Sequence, residues 1–505
     1  MLLEIFSSTL LRVMRYELRD MHLATKIAYN TIIQVASKII ATALGLLTVV
    51  LMTRYLGTNG FGEYTTIITF LAIFGVMADL GLTLVTVQMI SQPGVNEKKV
   101  LDNLFSLRFL TAIIFLGVAP IAAWFFPYNH DIKTGIIITV LSFFFIALNQ
   151  IFTAIFQKYL RMDKVSIAEC AGRLVLVAGT WAAVRADFGL NGILAAIVAG
   201  SFVQFVILYF SSRRFAKLSF AFDFSLWREV AQKSWPLALT IFFNLIYLKT
   251  DTLILSLIKS QSVVGIYGAS YKVIDILTTI PFLFAGVVLP ILAADWAAKA
   301  EERFKKILQK SFDLMIILAV PLVIGTQVLA RPVMILVADK DFAAAGPILQ
   351  VLIFAAGFVF VSSFFAHVMV ALNQQKKIIP AYIFTAITSV IGYLIFIPRY
   401  SYFGAAAVTV YSEAAITFFM LFYAWRFAKF FPRLGIFAKA ILAALIMGAA
   451  LYFTPAHYFD NVWGLLIAVV LASLLYFTAL FAVRGIDRQD LALLLNQEPE
   501  EKEFL

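Results

Sequence analysis

Eight ionisable residues with candidate functional roles lie inside long apolar stretches of the sequence. They comprise four cations, Lys38, Arg173, Lys249 and Lys272, and four carboxylates, Asp79, Asp251, Asp275 and Glu413. A charge surrounded by hydrocarbon is costly, so such residues usually face the protein interior or a water-filled path. We therefore treat the cations as candidate sites for an anionic ligand, and the carboxylates as candidate counter-charges or ion-coupling sites.

Further polar residues share helical faces with these charges. On one apolar stretch Asn30, Gln34, Lys38 and Thr42 recur every four residues; on others lie Thr240, Asn244, Tyr247 and Asp251, and Tyr271, Asp275 and Thr278. Residues at this spacing occupy one side of an α-helix. A polar stripe facing lipid would be unstable, so the pattern predicts that these helices line a shared polar cavity.

Several of the charges also have a structural interpretation. Glu169 and Arg173 are four residues apart and could form a salt bridge within one helix. Lys272 and Asp275 could neutralise each other in the same way, and Lys249 could extend its ammonium group to the outer interface. Lys38 and Glu413 are hardest to explain so, because each lies about 15 Å of helix rise from the end of its apolar stretch.

The composition identifies an integral membrane protein. Hydrophobic residues make up 62% of the 505 residues and charged residues 14%, and the mean hydropathy is +0.93, whereas soluble domains are about half apolar and a quarter charged. A spanning helix needs about 20 apolar residues. By that measure we predict an all-α fold with about fourteen spans, at 30–53, 64–89, 101–126, 132–156, 167–184, 190–210, 236–258, 264–292, 307–329, 345–372, 378–397, 403–423, 437–453 and 462–483.

The positive charges alternate along the chain between dense and sparse connections. About 29 of the 40 Lys and Arg residues, Arg108 among them, fall on one side of this topology and about 7 on the other. Positive residues accumulate on the cytoplasmic side of membrane proteins. We therefore predict a multi-pass protein of the cytoplasmic membrane with both termini in the cytoplasm. The formal net charge of +11 follows the same loop pattern and does not indicate a nucleic-acid partner.

A short internal repeat divides the chain into two halves. Gly62-Glu-Tyr64 and Gly265-Ile-Tyr267 are 203 residues apart and each begins a predicted span. Between the halves, residues 211–235 predict an amphipathic helix on the inner leaflet, with an ordinary loop as the alternative. The predicted organisation is a cytoplasmic N-terminal segment at 1–27, an N-lobe at 28–210, this linker, a C-lobe at 236–428, two further helices at 429–483 and a cytoplasmic tail at 484–505. We predict that the N-terminal segment forms a short interfacial helix.

Motifs for catalysis or for a bound cofactor are absent from the sequence. It contains no Walker A sequence, the four histidines lack metal-ligand spacing, and Cys170 is the single cysteine. The predicted connections are also short for a soluble catalytic domain. We therefore predict no catalytic residue, no metal site and no cofactor, leaving only a coupling ion, H⁺ or Na⁺, as an open alternative.

The first predicted hairpin resembles a known family. The pattern R-x-L-G-x-x-x-[FY]-G-x-[YF], followed by D-L-G, is typical of the polysaccharide (Wzx-type oligosaccharide) flippases of the MOP superfamily. Its positions here are Arg54, Leu56, Gly57, Phe61, Gly62 and Tyr64, then Asp79, Leu80 and Gly81. A second similarity covers Asp251 and Gly265-x-Tyr267. The fold of this family is shared with MATE drug exporters and lipid II flippases.

The resemblance implies two pseudo-symmetric six-helix lobes around a central cavity, with two additional C-terminal helices. It also implies a substrate, an undecaprenyl-diphosphate-linked oligosaccharide, and partners such as a glycosyltransferase or a polysaccharide polymerase. Lys38, Arg173, Lys249 and Lys272 would then bind the diphosphate head group. A MATE-like cation-coupled multidrug exporter is the main alternative, and a membrane glycosyltransferase is a weaker one.

Overall fold

The computed structural model describes residues 23–79, 81–90 and 94–485, and these residues form helices and connections without any strand. The helices are α1 (Leu23–Asp79), α2 (Leu82–Ile90), α3 (Glu97–Ala123), α4 (His130–Lys158), α5 (Met162–Arg185), α6 (Gly189–Ser212), α7 (Phe224–Ile258), α8 (Gln261–Ala297), α9 (Glu301–Ala338), α10 (Ala345–Ala371), α11 (Ile379–Ala428), α12 (Gly435–Phe453) and α13 (Val462–Ala482). The predicted all-α membrane fold is confirmed. The predicted N-terminal interfacial helix and most of the C-terminal tail lie outside the described residues.

Two of the long helices each contain two spans. Among the described residues twelve helices are long and apolar enough to cross a membrane, but α1 is broken at Gly57 (φ 62°) and α11 at Ser401 (φ 53°). Across the second break the hydroxyl oxygens of Tyr393 and Thr409 are 3.2 Å apart. In a straight helix these residues would be separated by about 24 Å, so the chain reverses there. Counting both breaks gives fourteen spans, as predicted.

The predicted span at 64–89 is wrong in one respect, because the structure divides it. Helix α1 ends at Asp79, and α2 begins at Leu82. Gly81 between them has φ 72°, a backbone conformation that glycine adopts without the steric cost of a side chain. The helix therefore ends where the sequence places this glycine.

The connection between the two lobes also differs from the prediction. Residues 213–223 are not helical, and α7 continues without interruption from Phe224 into the seventh span. A separate amphipathic helix over 211–235 was therefore wrong. Asp223 determines where α7 begins, because its carboxylate accepts hydrogen bonds from the backbone N–H groups of Ser225 and Leu226, as an N-cap residue does.

This connection is held along the first turns of α3. Three α3 side chains accept hydrogen bonds from alternate backbone N–H groups: Asp102 from Ser219 (2.8 Å), Ser106 from Ala221 (2.8 Å) and Asn103 from Asp223 (2.6 Å). The Lys99 ammonium group, 2.7 Å from Asp223, donates a hydrogen bond that lowers the pKa of this carboxyl. Since the folded pKa lies below its ordinary value, this contact stabilises the fold near neutral pH and is lost as the pH falls through the carboxyl's titration.

The two copies of the internal repeat contact each other. A Cβ atom on Gly62 would lie 1.7 Å from the carbonyl oxygen of Gln261, and one on Gly265 would lie 1.9 Å from the carbonyl oxygen of Thr58. These two contacts are related by the same offset of 203 residues. The hydroxyl of Ser262 also donates a hydrogen bond to that of Thr58 (2.7 Å). The lobes thus meet in a symmetric glycine contact, at the end that the charge count assigns to the outside.

The last two helices pack on the second lobe. A Cβ atom on Gly448 of α12 would lie 2.7 Å from the Ile324 side chain of α9, and the Tyr476 hydroxyl of α13 donates a hydrogen bond to the carbonyl oxygen of Ile317, also on α9 (2.9 Å). These helices are therefore additions to the outside of the C-lobe, which leaves the twelve preceding spans to form the two lobes.

The glycine contact gives a testable prediction. In a Cys170→Ser background, Thr58→Cys and Ser262→Cys should form a disulfide, because the two hydroxyl oxygens are in hydrogen-bond contact and a disulfide requires close Cβ atoms. Adding Gly62→Ala should lower the cross-linked fraction, measured by gel mobility, because the methyl group cannot fit against Gln261. Gly117→Ala is the matched control, since no atom lies within 4 Å of its Cβ position. Equal cross-linking with either alanine would contradict the prediction.

Candidate functional site

A first polar cavity lies between the two lobes. It measures about 840 Å³ including its opening, and α1, α5, α6 and α8 form its wall. Three of the four predicted cations, Lys38, Arg173 and Lys272, line it together with Glu169 and Asp275. Thr42 also lines this cavity, as predicted, whereas Gln34 is half-buried on α1 outside the residues that line it. The structure thus brings together cations that lie up to 234 positions apart in the sequence.

The charges of this first cavity are unequally paired. Lys38 lies 3.5 Å from Glu169, so the salt bridge that we considered between Glu169 and Arg173 is not the one that forms. The Lys272 ammonium group lies over the ring of Tyr64, 5.7 Å from its centroid. Within the described chain, neither Arg173 nor Lys272 has a carboxylate within the 4.0 Å that defines a salt bridge. Two cations therefore face the cavity without a bound counter-charge.

A second cavity lies within the C-lobe. It measures about 1220 Å³ including its opening and is walled by α7, α8, α10 and α11. The predicted residues that line it are Asn244, Tyr247, Lys249, Tyr271, Asp275 and Glu413. Asp275 lines both cavities, so the two spaces share a wall. The predicted shared cavity is therefore two adjoining spaces.

Lys249 and Asp275 neutralise each other at this shared wall. The Lys249 ammonium group lies 4.0 Å from the Asp275 carboxylate and 5.1 Å from the ring centroid of Tyr271. Asp275 is therefore paired across helices α7 and α8, not with Lys272 on its own helix as we considered. The alternative in which Lys249 extends to the interface is also wrong, because its charged group faces this wall.

Glu413 is buried beside the second cavity without a partner. The residue is 3% exposed and lines the cavity, and no described side chain donates a hydrogen bond or a salt bridge to its carboxylate. Its backbone carbonyl, by contrast, accepts a hydrogen bond from the Thr417 hydroxyl (2.8 Å). A buried acid in this setting is a candidate for contact with a ligand or a proton.

Asp251 has a different environment from the one predicted. It is fully buried, does not line either cavity, and accepts hydrogen bonds from the hydroxyls of Tyr267 (2.6 Å) and Thr409 (3.3 Å). These partners belong to α8 and α11, so the carboxylate joins three helices of the C-lobe. It also accepts a hydrogen bond from the backbone N–H of Thr252 (2.5 Å), and in the described structure no cavity cation forms a salt bridge with it.

Asp79 pairs with a residue that our sequence analysis assigned to a loop. Arg108 is 1% exposed in α3 and forms a salt bridge with Asp79, and it also donates a hydrogen bond to the carbonyl oxygen of Ala147 on α4 (3.0 Å). Thr83 donates a further hydrogen bond to Asp79 (2.6 Å). The placement of Arg108 among the loop cations was therefore wrong, and the partner of Asp79 is not a cavity cation. The signal for its burial was its position, because Arg108 lies eleven residues after Glu97, where its helix starts.

The described residues offer no conventional metal site. No group of three or more His, Cys, Asp or Glu side chains within the described chain is arranged to hold a metal ion. The chemistry available in the cavities is therefore that of fixed cations, hydroxyl and amide groups, and one unpaired carboxylate. Such an arrangement suits recognition of an anionic and hydroxylated ligand.

Comparisons with known families and curated proteins agree with this architecture. A family model described as "Polysaccharide biosynthesis protein" matches residues 27–296, and one described as "MatE" matches residues 236–397. The chain is also 22% identical over 466 residues to the "Probable low-salt glycan biosynthesis flippase Agl15" of Haloferax volcanii, covering 88% of this chain and 93% of that protein.

Solved structures share the fold. One titled "Lipid II flippase MurJ, inward closed conformation" aligns with a TM-score of 0.71 at 19% identity, over 90% of this chain and 98% of that chain. An inward-facing multidrug resistance MATE family transporter of the MOP superfamily aligns with a TM-score of 0.64 at 12% identity, over 84% and 100%. The outward-facing conformation of such a transporter gives 0.52 at 12% identity, over 83% and 96%. At these identities the similarity is one of fold.

Breaking the Asp79–Arg108 pair should destabilise the protein more than breaking an ion pair on the surface. Asp79→Asn removes the only carboxylate in salt-bridge contact with Arg108 among the described residues, and leaving one member of a buried pair uncompensated costs about 3 kcal/mol. The thermal unfolding midpoint of the purified protein, followed by tryptophan fluorescence, should fall. Glu229→Gln, which breaks the exposed Glu229–Lys233 pair, should change it little.

The double variant Asp79→Asn/Arg108→Met separates a lost pair from a general packing defect. It removes the uncompensated guanidinium group as well as the carboxylate, so its destabilisation should be smaller than the sum of the two single effects. Strictly additive losses would show that the two residues stabilise the fold independently.

Proposed function

The chain belongs to the polysaccharide biosynthesis protein family, and on this premise we propose that it is a flippase for a lipid-linked oligosaccharide. The proposed substrate is an undecaprenyl-diphosphate-linked oligosaccharide, moved across the cytoplasmic membrane for cell-surface polysaccharide biosynthesis. In this role the protein would receive its substrate from a glycosyltransferase and deliver it to a polysaccharide polymerase. The observation that carries the proposal is the pair of uncompensated cations, Arg173 and Lys272, in the first cavity.

The electrostatics of the first cavity favour a diphosphate over a drug cation. Three cations line it against Glu169 and Asp275, and Asp275 is already within 4.0 Å of Lys249. Arg173 and Lys272 therefore retain an unmatched positive charge in a partly desolvated space. A diphosphate offers several anionic oxygens to such groups, and guanidinium binds phosphate with favourable two-pronged geometry. A cationic drug would be repelled by the same two residues.

We propose that transport proceeds by alternating access. The contact between Gly62 and Gly265 closes the molecule at the predicted outer end, where Cβ atoms would overlap the facing backbone. Rocking of two repeats about a site between them is a common mechanism in transporters built this way.

A cation-coupled exporter is the second candidate. It is favoured by the MatE match over residues 236–397 and by Glu413, a buried carboxylate that a transported or coupling cation could use. The two candidates require different residues, since export of a cation needs Glu413 and does not need Arg173 or Lys272. A coupling ion, H⁺ or Na⁺, stays a prediction for both, and no further cofactor is proposed.

The proposed head-group site predicts a loss of export on charge removal. Lys38→Ala, Arg173→Ala and Lys272→Ala should each reduce surface polysaccharide in a deletion strain that expresses the variant, because a hydrogen bond to a charged group contributes about 1.5–3 kcal/mol. The measurement is surface polysaccharide relative to the amount of protein in the membrane fraction. Arg173→Lys keeps the charge and should retain more export than Arg173→Ala.

Lys217→Ala is the control for a general effect of lysine loss, because Lys217 lies on the connection between the lobes outside both transport cavities. Normal export by all three cavity variants would contradict the head-group site. Resistance assays with cationic drugs on the same strains test the second candidate, which predicts increased drug sensitivity of the deletion strain and of Glu413→Gln.

A further inference from the structure

The second cavity is not explained by the proposed binding of the head group. It is larger than the first, at about 1220 Å³ against about 840 Å³. Its Lys249 and Asp275 are paired at the shared wall. Among the described residues that line the cavity, Glu413 is then the one Lys, Arg, Asp or Glu side chain left unpaired. An anionic group is therefore not expected to occupy this space, whereas the adjoining first cavity favours one.

Four polar groups that line the second cavity form no hydrogen bond with a described residue. The Ser363 and Tyr271 hydroxyls are buried and unpartnered, and the other two groups are the Glu413 carboxylate and the Tyr382 hydroxyl. All four residues are at most 8% exposed. Polar groups of buried residues in native proteins are nearly always hydrogen-bonded. Four such groups around one space, contributed by α8, α10 and α11, indicate a ligand that supplies the missing donors and acceptors.

The remaining wall of this cavity narrows the class of ligand. Asn244 donates a hydrogen bond to the Tyr247 hydroxyl (2.8 Å), which leaves its amide oxygen as an acceptor. The rings of Tyr247 and Tyr382 are stacked, with centroids 6.4 Å apart. A hydrocarbon chain would leave all these polar groups unsatisfied, and a drug-like aromatic cation would satisfy few of them.

A sugar ring meets these requirements. Its hydroxyl groups can donate to the Glu413 carboxylate and accept from the hydroxyls of Ser363 and Tyr382, and its C–H faces can pack against aromatic rings. We infer that the second cavity binds the uncharged sugar residues of the substrate while the first cavity binds its diphosphate. This inference rests on the proposed function and extends it, because it assigns the glycan to the second cavity and predicts that the sugars bound there are uncharged. The shared wall at Asp275 makes the two spaces contiguous for one molecule.

Equilibrium binding to the full-length protein in lipid nanodiscs tests the inference. The three probes are a short polyprenyl diphosphate without sugar, the same lipid carrying N-acetylglucosamine, and the same lipid carrying glucuronic acid. The wild-type protein should bind the N-acetylglucosamine probe on the order of tenfold more tightly than the bare probe. It should bind the glucuronic acid probe more weakly than the N-acetylglucosamine probe, because a second carboxylate would be repelled by Glu413.

Three variants remove one cavity group each: Glu413→Gln, Ser363→Ala and Tyr382→Phe. Each should reduce affinity for the N-acetylglucosamine probe roughly threefold to tenfold and leave affinity for the bare probe within about twofold of wild type. Glu413→Gln should also narrow the difference between the two sugar-bearing probes. Glu229→Gln, an exposed residue with a matching change, is the control and should alter none of the affinities.

The outcomes separate this inference from the proposed function. If the wild-type protein binds all three probes equally, or the three variants weaken the bare probe as much as the sugar-bearing one, the glycan site is overturned while the head-group site stands. An effect of Glu413→Gln alone, with Ser363→Ala and Tyr382→Phe unchanged, would also overturn it. If Lys38→Ala and Arg173→Ala leave bare-probe binding unchanged while the second-cavity variants behave as expected, the head-group assignment fails and the glycan site is supported. Absence of binding to any probe would overturn both.

Discussion

The cost of placing charge inside a membrane governs the arrangement of this protein. Most of the candidate charges within the spanning helices are compensated by a specific partner on another helix: Asp79 by Arg108, Lys38 by Glu169, and Lys249 by Asp275. Asp251 is compensated by hydroxyl groups of α8 and α11. Each partner lies on a different span, so these contacts hold the helices of a lobe together as well as neutralising charge. Of the four cations and four carboxylates predicted from the sequence, Arg173, Lys272 and Glu413 are left without such a partner among the described residues, and they lie beside the two cavities.

The meeting of the two lobes follows from the repeat itself. Near a pseudo-twofold axis, a residue and its counterpart from the other copy approach each other, so a position close to the axis must be small in both copies. Gly62 and Gly265 satisfy this condition. Gly62 faces the carbonyl oxygen of Gln261 and Gly265 faces that of Thr58, and Thr58 and Gln261 are themselves 203 residues apart. The short internal repeat that divides the chain into two halves thus lies where the two halves contact each other.

Much of the fold could be predicted from the sequence because its signal is local. Runs of about 20 apolar residues identified the fourteen spans. The four cations noted inside those runs include the three that share the first cavity. The pairing of charges could not be predicted in this way. Spacing along one helix suggested Glu169 with Arg173 and Lys272 with Asp275, but Lys38 and Lys249 from other helices reach these carboxylates in the folded chain.

Two further errors have the same physical origin. Arg108 lies close enough to the start of its helix to be mistaken for a loop residue, and only the neighbouring helices show that it is buried. The linker's mixture of aromatic and basic residues fits an amphipathic helix, yet side chains of α3 bind its backbone N–H groups and hold it extended. In both cases a contact distant in sequence overrode a local preference.

The division into two cavities has a consequence for how one substrate could be moved without being trapped. A single cavity with many unpaired cations would bind a diphosphate tightly in every conformation, and equal affinity on both sides of the membrane gives no advantage to a transporter. Here the unpaired positive charge lies in the first cavity, between the lobes, where Arg173 lies on α5 and Lys272 on α8. Because these helices belong to different lobes, any separation of the lobes also separates the two cations. In the proposed function, the strongest interaction with a diphosphate head group would therefore depend on the relative position of the lobes, whereas a glycan held within the C-lobe alone would move with that lobe as a unit.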